Sequence, residues 1–199
     1  MVDPYTLPDD LPAPVDDGAA DHLPGAVVPD IELVSTDGRS VSLAALRGRT
    51  VVYAYPRTGR PGEPSLVDDW DLIPGARGCT PETCGFRDHH ADLAAAGAAV
   101  FGLSTQDTAY QRELAERLAL PFEILSDAAL ALTAALCLPT FEAAGRTLLR
   151  RLTLIVRDGR IEHVFYPVFP PDRHALDVLG WLRADPARRA AGPRPPRCG

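Results

Sequence analysis

Cys79 and Cys84 stand five residues apart in Gly78-Cys79-Thr80-Pro81-Glu82-Thr83-Cys84-Gly85-Phe86-Arg87-Asp88. A thiol pair in one local segment can be oxidised to a sulfenic acid and then to a disulfide, or can ligate a metal. Thr80 followed by Pro81 and Glu82 predicts a helix start, with a capping hydroxyl, a proline at the first helical position and an acid in the first turn. That helix is expected to run through Phe86, His90 and Leu93 to Gly97. Cys79 then lies at a helix N-terminus, where exposed backbone N–H groups favour a thiolate. The terminus supplies only about 0.3–1 kcal/mol, whereas bringing a thiol from pKa ~8.5 to below 7 needs about 2 kcal/mol. A neighbouring cation is therefore required, and another part of the chain must supply it.

The surrounding pattern predicts which elements position the pair. Ile31 and Leu33, an Asp37-Gly38 turn, then Val41 and Leu43 read as an N-terminal hairpin. Val51-Val52-Tyr53-Ala54-Tyr55, stopped by Pro56, reads as a central strand buried on both faces. Residues 57–78 form a long loop rich in Gly and Pro, and Trp70 is expected to anchor it. Ala98–Leu103 is a further strand, and a polar helix follows over Thr108–Leu118. After a short strand at Phe122–Leu125 comes an apolar helix over Ala128–Leu138. Leu148–Val156 and Arg160–Tyr166 pair across Asp158-Gly159, and Pro171–Leu182 closes the domain as an amphipathic helix. The sum is an α/β fold with a central mixed sheet flanked by helices.

Composition narrows the function. The 199 residues carry 20 basic and 27 acidic side chains, a formal charge of −7, and 46% are hydrophobic. Residues 1–24 are expected to be a disordered acidic, Pro-rich tail, and 185–199 a disordered basic, Pro-rich tail around a domain at 25–184. The acidic centre disfavours a phosphate backbone, so no nucleic acid is expected as partner. No apolar run is long enough to span a membrane, and the first residues lack an export pattern. The expectation is a cytoplasmic protein with reduced thiols. There is no phosphate-cradling loop, and no nucleotide cofactor is expected.

The segment resembles the bacterioferritin-comigratory (PrxQ-type) peroxiredoxins. The resemblance runs from about Pro29 to Leu182, through Asp37-Gly38, Tyr55-Pro56, the Cys79/Cys84 pair with Phe86-Arg87-Asp88, Ser126-Asp127 and Arg160-Ile161-Glu162-His163-Val164. It implies a thioredoxin-like fold and a peroxidase that needs neither metal nor organic cofactor. It further implies that Cys79 is peroxidatic, Cys84 is resolving, and Arg151 contacts thiolate and peroxide, with Arg150 the alternative if the register slips. The implied partners are a peroxide and thioredoxin or a similar dithiol, with a monomer or homodimer as the assembly. Two positions depart from the family. A hydroxyl residue three before the peroxidatic Cys and a Pro seven before it are replaced by Ala76 and Leu72, and residues 57–77 look like an insertion. Either Thr58 folds back to supply the hydroxyl, or Pro56 keeps its shielding place and the hydroxyl is lost.

Two other readings compete. Ala76 and the insertion also suit a peroxide sensor or accessory protein with weak turnover. Zinc held by Cys79, Cys84, His89 and His90 would need ligands spread around the whole helix. Cys137 reads as a small core residue and Cys198 as an exposed thiol in the tail.

Overall fold

The protein is described by a computed structural model over residues 5–184. Residues 1–4 and 185–199 lie outside the described residues, and with them Cys198 and the expected basic tail.

Seven strands form one mixed sheet in the order β2-β1-β5-β4-β3-β8-β9. Here β1 is Glu32–Ser35, β2 Ser40–Ser42, β3 Arg49–Ala54, β4 Ala98–Ser104, β5 Ile124–Ser126, β8 Leu152–Arg157 and β9 Arg160–Phe165. The central strand β3 runs parallel to β4 and antiparallel to β8. All six of its residues are buried, as a strand covered on both faces requires. Alternation along it decides what each face packs. Val51 and Tyr53 join the cluster beneath α1 (Cys79–Asp88), α2 (His90–Ala95), α3 (Thr108–Arg117) and α5 (His174–Ala184). Val52 and Ala54 join the opposite cluster, which includes Leu132 and Leu136 of α4 (Ala131–Leu136). The β8–β9 hairpin turns at Asp158-Gly159, both with positive φ (49° and 78°), which suits a tight turn matched to strand twist.

Three expectations are corrected. Residues 5–24 are not a solvated tail: Ala20 and Leu23 are buried in the core and the Tyr166 hydroxyl donates to Asp17. The run expected as one strand from Leu148 breaks at Arg150-Arg151. Its first part, β7 (Arg146–Leu149), pairs instead with β6 (Thr140–Ala143) in a separate two-stranded sheet. The helix expected over 80–97 starts at Cys79 after Gly78 and breaks at His89, within the polar triplet Asp88-His89-His90, which offers no buried anchor.

The extra hairpin explains how the long loop is held. Trp70 is buried in a third cluster with Ala76, Ala143 and Leu148, its ring 6.3 Å from that of Phe141. The segment before Cys79 is thus pinned to β6–β7, and the end of that hairpin leads directly to Arg151.

Candidate active site

Cys79 is the first residue of α1 and is 3% exposed. The chain enters the helix through Gly78 at φ 102°, a left-handed conformation, and a side chain there would run into Pro171 and Leu7. This entry sets the sulfur against Arg151, whose Nη2 donates to Cys79 Sγ at 3.2 Å. The thiol is 3.5 Å from the Ala76 carbonyl, and the Arg57 backbone N–H draws its pKa down.

Arg151 lies at the junction of β7 and β8 and is buried. Its Nη2 also donates to the carbonyls of Gly75 (3.2 Å), Ala76 (3.4 Å) and Arg77 (3.1 Å), and its Nη1 pairs with Glu82. One guanidinium therefore fixes the loop before Cys79 and the first turn after it. Arg150 faces elsewhere and donates to the Thr140 carbonyl at 3.2 Å.

Glu82 is fully buried, and its burial pushes its carboxyl up to about 7 against the pull of Arg151. Cys79 feels the same opposition, and its thiol stands above the ordinary cysteine value rather than below it as the helix start and cation suggest: burial raises it most, Arg151 draws it down, and the nearby Glu82 carboxylate raises it again. The sulfur and the carboxyl thus share one cation. Glu82 was noted from the sequence only as a first-turn acid. Its spacing three residues after Cys79, on the same helical face, was the available signal.

Thr58 borders the same cleft as Cys79. It is buried, and its Oγ1 donates to Gln106 Oε1 at 3.1 Å. That leaves the hydroxyl's acceptor lone pairs available. Gln106 completes the link by accepting from Thr58 N–H (2.9 Å) and donating to its carbonyl (3.2 Å). Ala76 instead packs beside Trp70 and offers only its carbonyl to the sulfur. The loop has brought a hydroxyl to the cleft from far upstream.

His174, overlooked in the sequence, begins α5 beneath this site. Its Nε2 lies 2.8 Å from Thr153 Oγ1, and burial together with the positive field of Arg151 lowers its pKa to about 3. It is a neutral prop between the rings of Phe86 and Phe165. The apolar spacing Ala175, Val178, Leu179, Leu182 was the signal that His174 faces inward.

Cys84 is half-buried on the same helix as Cys79, and both are free thiols. Burial raises the Cys84 thiol. Cys137, expected in the core, is exposed at the end of α4 with φ 48°, because the helix terminates there in a left-handed residue. Among the described residues, no three of His, Cys, Asp and Glu gather to hold a metal ion.

Known proteins share this fold and much of this sequence. The redoxin family model matches residues 23–179. Peroxiredoxin Bcp of Escherichia coli (strain K12) is 30% identical over 164 residues, 80% of this chain and 94% of that protein. The chain belongs to the redoxin family, among the Bcp and peroxiredoxin Q proteins. Chloroplastic peroxiredoxin Q of Oryza sativa subsp. japonica is also 30% identical, over 80% of this redoxin but 66% of the rice protein's own length. In three dimensions the redoxin superposes on peroxidoxin BcpB from Mycobacterium tuberculosis with a TM-score of 0.65 and 28% identity, covering 82% of this chain and 98% of that one. The thioredoxin-like fold expected from the sequence is the one found. Among the described residues no helix is long and apolar enough to cross a membrane.

Proposed function

We propose that this redoxin is a thiol peroxidase that reduces hydrogen peroxide and organic hydroperoxides at Cys79. The observation that carries the reading is the Arg151 guanidinium 3.2 Å from a cysteine sulfur at a helix start, beside an open cleft. The Cys79 thiolate attacks the distal peroxide oxygen, the O–O bond breaks, and the leaving alkoxide or hydroxide takes a proton. Arg151 and the Arg57 N–H stabilise the charge moving along that bond, while Thr58 accepts the hydroperoxide's hydrogen bond. Cys79 becomes a sulfenic acid, the Cys84 thiol displaces water from it to form a disulfide, and a dithiol such as thioredoxin reduces the disulfide. The reading is tested by peroxide consumption with a thioredoxin system supplied. Absence of turnover in folded, fully reduced protein overturns it.

Replacing Cys84 by Ser separates the two half-reactions. The first equivalent of peroxide will still be consumed, and thioredoxin-linked turnover will fall at least about tenfold, with a dimedone-type adduct accumulating on Cys79 by intact mass. Undiminished turnover removes Cys84 from the cycle.

The disulfide also demands motion. Residues five apart in a helix are offset by about 7.5 Å along the axis and about 140° around it, whereas a disulfide needs Cα atoms within about 4.4–6.8 Å. Cys79 and Cys84 both lie in α1, so its first turns must open before they join. Amide exchange across 78–88 will be faster in the oxidised than the reduced protein, with β3 and β4 unchanged. Equal protection in both states, with the disulfide mapped, contradicts this step.

A further inference from the structure

Arg57, Arg60 and Arg77 line the cleft that opens on Cys79, beside Thr58, Tyr110 and a single carboxylate, Glu63. Two of these cations have acidic neighbours. Arg60 lies 3.6 Å from Glu63 and 3.7 Å from Glu113, and Arg77 lies 3.6 Å from Asp71. Arg57 has no carboxylate within ion-pair distance among the described residues. Its guanidinium stacks over the Tyr110 ring at 4.7 Å, and Arg60 shares that ring at 4.3 Å. With Arg60 paired to its carboxylates, the Arg57 charge stays uncompensated in the cleft wall. Stacking also leaves the N–H edge of a guanidinium available for a planar, bidentate partner.

Arg57 lines the same cleft as Cys79, and its backbone N–H draws the thiol's pKa down. A group held by its guanidinium therefore sits in the cleft that contains the reacting atom. Resting on the peroxidase reading above, we propose that Arg57 is a specificity determinant and that the preferred substrates are hydroperoxides bearing a carboxylate. The carboxylate docks on Arg57 while the peroxide meets Cys79. The O–O bond is cleaved as for any hydroperoxide, and the product is the matching hydroxy acid with its carboxylate unchanged.

The test compares para-carboxycumene hydroperoxide with its methyl ester, which differ in charge but present the same peroxide. For the wild type, kcat/KM for the acid will exceed that for the ester by on the order of tenfold, the scale of one charge-assisted hydrogen-bonded pair. Arg57→Gln will bring the ratio close to one, and added salt will narrow it in the wild type. The ratio is the readout, so an effect of the substitution on both substrates alike does not count. A second arm needs no turnover: para-isopropylbenzoate will slow alkylation of Cys79 in the wild type and much less in Arg57→Gln, and its methyl ester will slow neither. Equal ratios in the two proteins, or equal protection by benzoate and ester, overturn the assignment of Arg57. Failure to consume either hydroperoxide, with benzoate protection intact, overturns the peroxidase reading and leaves the anion site standing.

Discussion

A Cys79→Ser variant will lose peroxide consumption by at least about a thousandfold, the scale expected when an enzyme loses its nucleophile. The substituted hydroxyl keeps the shape of the site but ionises far less readily than a thiol, and its oxygen cannot form a sulfenic acid. No other described thiol can replace it. Cys84 is raised by burial without the Arg151 contact, and Cys137 sits exposed at the end of α4. Arg151 and the Arg57 N–H will remain aimed at an inert atom. The measurement is initial rate against peroxide, with thermal unfolding to show that the fold is retained. Substantial residual turnover would place the chemistry at another residue.

Arg151→Met will damage both reactivity and stability. Methionine fills much of the same space but leaves three carbonyls without their donor and Glu82 without its cation. Removing one partner of a buried ion pair costs about 3–5 kcal/mol. Part of that cost is avoided if Glu82 takes up a proton. Its folded-state pKa, already pushed up to about 7, then rises further, while the unfolded carboxyl stays near its ordinary 4.5. Above pH 4.5 the folded variant holds a proton that the unfolded chain has released, so stability falls as pH rises. The Tm of the variant will therefore drop from pH 5 to pH 8 more steeply than that of the wild type. The midpoint of Cys79 alkylation will move to higher pH, because the charge opposing burial has gone. Should the single variant not fold, Arg151→Met with Glu82→Gln removes the stranded carboxyl and preserves the alkylation test. An unchanged midpoint removes Arg151 from the site.

Features decided by near neighbours were legible in the sequence. The apolar run at 51–55 had to be a strand buried on two faces, and Asp37-Gly38 and Asp158-Gly159 had to turn, because φ and hydrophobic period are local properties. The thiol pair on a helix start was readable for the same reason. A choice between Arg150 and Arg151 was not, since adjacent strand residues face opposite ways and a single-residue change of register exchanges them. Only the break between β7 and β8 turned Arg151 toward a sulfur 72 residues earlier in the chain. The Thr58 hydroxyl's place beside the Cys79 cleft likewise depended on a loop pinned by Trp70 to a hairpin with no local signature. The acidic N-terminal segment departs from the tail its composition suggests because six Asp and five Pro dominate its composition, while Leu23, fully buried, decides its packing. The sequence by itself determined the central strands, the two Asp-Gly turns and the place of Cys79 at a helix start. Tertiary structure alone decided the cation, the carboxylate and the hydroxyl around that nucleophile, because their contacts join segments that no local periodicity relates.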